Sequence, residues 1–271
     1  MRGTPVTGWR RIASAMWHSP DDPQIFGTLD VDARPALRFI AAARAAGHHL
    51  TPTHLVGRAL GHALVKVPDL NVRLRRGRAL PRPGVDIFFI TAVSNGHDLS
   101  GVKIRNMPER SAIEVASELG ERAGAMKAGR DRDFAKTKSA MDRLPPRLLR
   151  AALRATVFLA DDLGLDLPMF ALKNNPFGSA MITSVGMFGL PSGFAPLAWM
   201  YDVPILLLVG EIAQRPVVVD GKLEVGDVLP ISATIDHRYV DGWHVSQALA
   251  AFREYMAAPE RFEPVVGLHA A

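Results

Sequence analysis

The segment 229–256 changes its apolar periodicity at one short polar motif. Apolar residues alternate as far as Ile235, which is typical of a strand with one buried face. From Val245 onward they recur at helical spacing. The motif between the two patterns is Asp-His-Arg-Tyr-Val-Asp-Gly. His237 is therefore predicted to lie where a strand ends, and Asp241 where a helix begins.

Two interpretations of this motif are open from the residues alone. In the first, the motif is a polar turn in which Asp241 caps the helix and His237 merely packs. In the second, it is a catalytic site, because a strand end holds a side chain more firmly than a loop does. An imidazole also changes charge near neutral pH. The coincidence of the His, the Asp four residues later, the following Gly and the strand-to-helix context favours the catalytic interpretation.

The motif resembles the His-x-x-x-Asp-Gly signature of the chloramphenicol acetyltransferase-like superfamily. The form Asp-His-Arg-x-x-Asp-Gly is most similar to the catalytic domain of the acyltransferase component of 2-oxo acid dehydrogenase complexes, whereas Trp243-His244-Val245 is more similar to the chloramphenicol acetyltransferase branch. The resemblance implies that His237 is a general base, which deprotonates a thiol or hydroxyl that then attacks an acyl thioester. It implies that Asp241 is chiefly a structural partner of an Arg.

A second phrase, at residues 179–189, combines an apolar strand, two hydroxyl residues and a Gly-containing turn. It resembles the Thr-Ile-Ser-Asn-Leu-Gly-Met-Phe-Gly phrase of the same catalytic domain. Aligned on its glycines, the family Ser falls on Thr183 and the family Asn on Ser184. In the family this Ser donates a hydrogen bond to the oxyanion, and losing such a donor typically raises the barrier by about 3 kcal/mol. The expected donor is Thr183, or Ser184 if the register shifts.

The N-terminal segment 7–16 resembles the Arg-Arg-x-Ile-Ala-x-x-Met opening of that domain, with one residue fewer before Ile12. In relatives an Arg at this place pairs with the motif Asp. Arg11, or else Arg10, is therefore the expected partner of Asp241. A solvated basic start of a helix is an equal alternative.

The resemblance implies an α/β fold of the chloramphenicol acetyltransferase-like type, a mixed sheet flanked by helices, with residues 1–271 as one catalytic domain.

A basic strand and turn is expected at 71–78, as an exposed and charged hairpin edge or, less favoured, a phosphate contact. A turn is expected at Gly226-Asp227. Strands are predicted at 26–32, 85–93, 99–104, 179–184, 202–212, 216–219, 223–225 and 229–235, and helices at 35–46, 51–67, 111–127 and beyond 245.

The interval 131–176 departs from the resembled domain, where a short loop is usual. Its apolar and Arg-rich faces predict a helical insertion. An insertion packed on its own domain is favoured over contact of the stretch 144–170 with a membrane surface or partner, because amphipathic helices normally face a core.

Composition narrows the chemistry further. The absence of Cys excludes disulfides, thiolate metal sites and a Cys nucleophile. His54 and His62 have no acidic or His partner at ligand spacing, so no metal is expected. The formal charge of +5 is mild and no nucleic-acid motif is present. With no apolar signal region and no apolar run of spanning length, a cytoplasmic location is expected.

The resemblance implies direct acyl transfer with coenzyme A or acyl-coenzyme A as a substrate. It implies a homotrimer, or a higher assembly of trimers, in which His and hydroxyl donor come from different subunits. The sequence contains no lipoyl-bearing or subunit-binding domain, so a dihydrolipoyl acceptor would be carried by a partner protein. A free small-molecule acceptor is the other option. The competing interpretation is a degenerate domain that serves as an oligomeric scaffold or partner-binding module.

Overall fold

The computed structural model describes residues 22–75, 77–93, 98–127, 145–159, 175–198 and 201–264. The helices are α1 (Arg34–Ala45), α2 (Pro52–Lys66), α3 (Ala112–Lys127), α4 (Pro146–Val157) and α5 (Gly242–Ala257). The strands are β1 (Gln24–Asp32), β2 (Val72–Arg75), β3 (Arg78–Pro81), β4 (Ile87–Val93), β5 (Asp98–Ile104), β6 (Ala180–Ser184), β7 (Ile205–Val209), β8 (Ala213–Val219) and β9 (Lys222–Asp236).

The main sheet is mixed, as the sequence predicts. Its strands follow the order β1-β9-β7-β6-β4-β5, and β8 pairs with the first half of β9. The pairs β4–β6 and β6–β7 are parallel, whereas β9 runs antiparallel to β1, β7 and β8. Strands β2 and β3 form a separate hairpin. The prediction of a mixed sheet flanked by helices is confirmed.

Helices α1, α2 and α5 pack together on one face of this sheet, where α1 contacts β9, α2 contacts β6 and α5 contacts β1, and α3 packs against β5. Helix α2 is largely buried because its apolar residues lie around most of its circumference, including Leu55, Val56 and Leu64. The inward side chains of β9, such as Ile231 and Ile235, complete the core beneath α5. The helix face therefore fixes the C-terminal half of β9 and the start of α5, which are the elements that carry the His motif.

The prediction of a turn at Gly226-Asp227 is wrong. Strand β9 continues through both residues, because Gly226 pairs with Arg215 of β8 and Asp227 pairs with Gln214. A side chain at position 226 would place its Cβ 2.7 Å from Cγ2 of Val217. Close packing across the ladder therefore explains this glycine better than turn geometry does.

The basic stretch 71–78 forms β2, the turn and part of β3. The exposed-edge expectation holds for β3, whose residues are all exposed, and is wrong for β2. The side chains of Arg73 and Arg75 are each only 16% exposed, since both bind the carboxylate of Asp202. These guanidinium groups therefore have a partner within the chain.

The two other singled-out histidines lie on α2. His54 is the third residue of the helix, and its Nδ1 accepts a hydrogen bond from the backbone N–H of Thr51 at 3.2 Å. The Nε2 of His62 lies 3.8 Å from a carboxylate oxygen of Glu254. No group of three or more His, Asp or Glu residues that could hold a metal ion occurs within the ranges described above.

Only part of the predicted insertion falls in the described ranges. Helix α4 lies within the predicted insertion. The side chains of Leu148 on this helix and of Phe158, the residue that follows it, are largely exposed. Residues 131–144 and 160–174 of this interval are outside the described residues, as are residues 94–97 between β4 and β5. Among the helices that the structure describes, none combines the length and the apolar character needed to cross a membrane.

Candidate active site

His237 lies in the turn that joins β9 to α5. The backbone N–H of Asp236 donates to the carbonyl of Pro204, and that of His237 donates to the carbonyl of Pro23, each at 2.9 Å. These bonds fix the turn to the residues preceding β7 and β1. The His237 side chain is exposed and makes no hydrogen bond with any described residue. The imidazole thus lies at the predicted strand end. Its backbone is fixed by hydrogen bonds, and its ring is accessible to a substrate.

Asp241 is the N-cap of α5. Its Oδ1 accepts hydrogen bonds from the backbone N–H groups of Trp243 at 3.0 Å and His244 at 3.3 Å, and lies 2.8 Å from Nδ1 of His244. The backbone N–H of His244, and then its ring, hold the pKa of Asp241 below its usual value. The backbone N–H of Asp241 in turn donates to Nδ1 of His244 at 3.5 Å, and with the bond from the His244 N–H this forms a capping box that ties the end of the His turn to the helix. The expected partners Arg10 and Arg11 lie outside the described residues.

A second carboxylate organises the turn from within. Asp236 is buried, and its side chain accepts hydrogen bonds from the backbone N–H of Arg238 and from its Nε, both at 3.0 Å. The side-chain hydrogen bond to Asp236 raises the pKa of Arg238, whose side chain is otherwise 62% exposed. The conformation of the motif therefore rests on charged contacts on both sides of His237.

The sequence interpretation missed a half-buried charged cluster beside the motif. The hydroxyl of Tyr239 donates to Oδ1 of Asp202 at 2.7 Å. Arg73 and Arg75 donate to the same carboxylate, at 3.1 and 2.6 Å. No sequence signal joins these positions, because Asp202 and Tyr239 are separated by 37 residues and the arginines belong to another hairpin.

The hydroxyl residues Thr183 and Ser184 end β6, as predicted, and are half-buried. Neither side chain makes a hydrogen bond with the part of the chain that the structure describes. The chain then turns sharply at Gly186, where an added Cβ would lie 2.5 Å from the carbonyl oxygen of Gly210. A glycine is required there by the close approach of the two backbones.

One chain does not bring His237 and these hydroxyls together. Thr183 pairs with Leu208, and Leu208 pairs with Ser232 of β9. His237 is five residues beyond Ser232, which corresponds to about 16 Å along the strand direction at roughly 3.3 Å per residue. Two strand spacings of about 4.8 Å add to this separation. The imidazole and the hydroxyls therefore lie toward opposite ends of β7, and a site containing both requires two copies of the chain.

Comparisons with known proteins bear on the same region. The model of the family described as 2-oxoacid dehydrogenases acyltransferase (catalytic domain) matches residues 174–263. The dihydrolipoyllysine-residue acetyltransferase component of the acetoin cleaving system of Bacillus subtilis is 26% identical over 262 residues, which are 94% of this chain and 55% of the relative. The corresponding pyruvate dehydrogenase component of Mycoplasma capricolum is 23% identical over 80% of this chain and 40% of the relative. The chain thus spans about half the length of these curated relatives, or less.

Solved structures with the same fold cover almost the whole chain. A probable dihydrolipoamide acetyltransferase from Listeria monocytogenes superposes with a TM-score of 0.64 at 20% identity, over 100% of this chain and 98% of that one. The cubic core of a pyruvate dehydrogenase multienzyme complex superposes with a TM-score of 0.65 at 20% identity, over 97% of this chain and 93% of that one. At this identity the likeness shows a shared fold.

Proposed function

We propose that the chain belongs to the family of 2-oxo acid dehydrogenase acyltransferase catalytic domains, which its match over residues 174–263 and its fold support, and that it moves an acyl group between coenzyme A and a second acceptor with His237 as general base. The acceptor is a dihydrolipoyl thiol or a small molecule. The observation that carries the proposal is an exposed imidazole on a turn that both its backbone and its neighbouring side chains hold in place.

The reaction is a direct transfer. The imidazole of His237 takes the proton of the acceptor thiol, and the thiolate attacks the carbonyl carbon of the acyl thioester. The tetrahedral oxyanion accepts a hydrogen bond from Thr183 or Ser184. When the intermediate collapses, the bond to the coenzyme A sulfur breaks, and the departing thiolate takes the proton back from the imidazolium. Asp241 keeps the start of α5 in place and does not contact the reacting atoms.

The site is shared between subunits in this proposal. The separation of His237 from Thr183 within one sheet supports it, because the hydroxyl must come from a second protomer. Exposed apolar side chains on the β8–β9 hairpin and after β6 provide surface for such contacts, among them Val218, Leu223, Val225, Met187 and Phe188. We propose a homotrimer, alone or within a larger assembly of trimers as in the related cubic core. If the acceptor is a dihydrolipoyl thiol, it is carried by a lipoyl-bearing partner protein. The location that we propose is the cytoplasm.

The experiment that tests the function follows acyl transfer from acetyl-coenzyme A to free dihydrolipoamide by the His237→Ala variant. Loss of a general base lowers the rate by about 10²- to 10⁴-fold. His49→Ala is the matched control, because His49 is exposed on the loop before α2 and far along the chain from the motif. Full activity of His237→Ala would refute the proposal, as would equal losses in both variants.

A degenerate scaffold remains the second candidate, since Thr183 and Ser184 both differ from the residues of the resembled family phrase. Thermal-shift measurements with coenzyme A and acetyl-coenzyme A separate the candidates. An active domain gains stability from ligand in excess of its Kd. The absence of a shift with either compound, together with absence of transfer, would favour the scaffold.

A further inference from the structure

The carboxylate of Asp202 is the centre of the cluster beside the His237 turn. It accepts hydrogen bonds from Nε of Arg73 at 3.1 Å, from the two terminal nitrogens of Arg75 at 3.0 and 2.6 Å, and from the hydroxyl of Tyr239 at 2.7 Å. Its side chain is 15% exposed. A half-buried carboxylate with this many donors has a fixed position, because moving it would leave the guanidinium groups of Arg73 and Arg75, each only 16% exposed, without their counter-charge.

The backbone of Asp202 is fixed as well. It adopts a left-handed conformation with φ at 52°, which Asp tolerates better than most residues. Its carbonyl accepts a hydrogen bond from Arg82, whose other contacts are the carbonyl of Val72 at 3.1 Å and Oδ1 of Asn175 at 2.5 Å. Burial lowers the pKa of Arg82 to about 10, so this guanidinium keeps its charge at neutral pH. Asp202 is therefore anchored through both its side chain and its main chain.

Tyr239 connects this anchor to the His turn. Burial, followed by the charge of Asp202, raises the pKa of the Tyr239 hydroxyl, so it stays protonated and donates. The contact between Asp236 and Arg238 is internal to the turn and does not fix it to the rest of the protein. On the side of Tyr239, the hydroxyl bond to Asp202 supplies an external side-chain attachment.

We propose that Tyr239 and Asp202 are positioning residues for His237, and that the pair holds the imidazole in the geometry needed for proton transfer. This role rests on the proposed function of His237. Without the hydroxyl, the turn keeps its backbone bonds to Pro23 and Pro204 but loses its side-chain attachment. A small displacement of a base lowers the rate steeply, by about a hundredfold for a shift near 1 Å.

The test is a double-mutant cycle in the intact protein with Tyr239→Phe and His237→Ala. Tyr239→Phe keeps the ring and its packing, so it is expected to fold, with kcat lowered by about tenfold to a hundredfold and KM for coenzyme A unchanged. In the His237→Ala background the same change should have no further effect on kcat, because the Tyr then has no base to position.

Tyr201→Phe is the matched control, because the Tyr201 ring packs against Phe177 while its hydroxyl makes no hydrogen bond within the described ranges. It should leave kcat unchanged. Amide hydrogen exchange in 236–241 should be faster in Tyr239→Phe and unchanged in Tyr201→Phe. A Tyr239→Phe enzyme with full kcat, or equal losses with and without His237, would overturn the positioning role alone. Full activity of His237→Ala would overturn the proposed function, and the positioning role with it.

Discussion

Replacing Glu263 by Gln tests how the C-terminal segment closes the core. The Glu263 side chain is 1% exposed, and its carboxylate joins three helices. It accepts hydrogen bonds from Nε of Arg58 on α2 at 2.7 Å, from the backbone N–H of Ala112 at the start of α3 at 2.5 Å, and from the hydroxyl of Tyr255 on α5 at 2.5 Å. Burial and the charge of Glu263 raise the pKa of Tyr255, which therefore remains a donor.

The expected loss follows from the hydrogen-bonding groups of an amide. Gln has the shape of Glu but one acceptor oxygen, so its NH₂ group must face either the N–H of Ala112 or the guanidinium of Arg58. One donor then meets another, and Arg58 stays buried without a counter-charge. Breaking a buried ion pair costs about 3–5 kcal/mol. We expect about 3 kcal/mol, because the amide retains one acceptor.

The free energy of unfolding is measured by urea denaturation at a single protein concentration, since assembly shifts apparent stability. Glu260→Gln is the control, because Glu260 lies in the same short segment and is exposed. Its loss should stay within about 0.5 kcal/mol. A Glu263→Gln loss as small as that of the control would refute the account of the buried cluster.

Two further predictions concern His54 and the hydroxyl donors. Burial lowers the pKa of His54 to about 4 from its ordinary value of 6.5, so the unfolded chain binds more protons than the folded chain between these pH values. The contribution of the neutral His54 to the free energy of unfolding is fully present above pH 6.5. It is lost as the pH falls toward 4, and the loss is at most about 3 kcal/mol. His54→Gln should flatten this slope in urea titrations at pH 7 and pH 4.5, and an unchanged slope would contradict the assignment. For the oxyanion donors, one of the two variants Thr183→Val and Ser184→Ala should lower kcat by about 10²- to 10³-fold with little change in KM, and the other should leave kcat unchanged. If neither variant changes kcat, both hydroxyls are excluded as the donor.

The sequence predicted those features that depend on neighbouring residues. The strand before His237 and the helix after Asp241 follow from local apolar periodicity, and the structure places their boundary within the motif. The prediction of a turn at Gly226-Asp227 was wrong because pairing with β8 determines the backbone conformation there. The preference of Gly and Asp for turns contains no information about a partner strand. Strand pairing therefore outweighs residue preference at that position.

The features that the sequence left undetermined depend on contacts between distant segments. The Asp202–Tyr239 bond links positions on two different loops, and the burial of Arg75 depends on that carboxylate. The separation of Thr183 from His237 depends on strand order, which periodicity does not encode. The pairing of Asp241 with an N-terminal Arg stays a prediction.

The most direct test of the account is a crystal structure of the assembled protein with bound coenzyme A. The central claim is that His237 takes a proton from a thiol in a site completed by a second protomer. The account predicts the coenzyme A sulfur within about 3.5 Å of the imidazole, and a Thr183 or Ser184 hydroxyl of the adjacent protomer facing the same space. Coenzyme A bound away from His237, or an imidazole that faces bulk solvent with no second protomer beside it, would contradict the account.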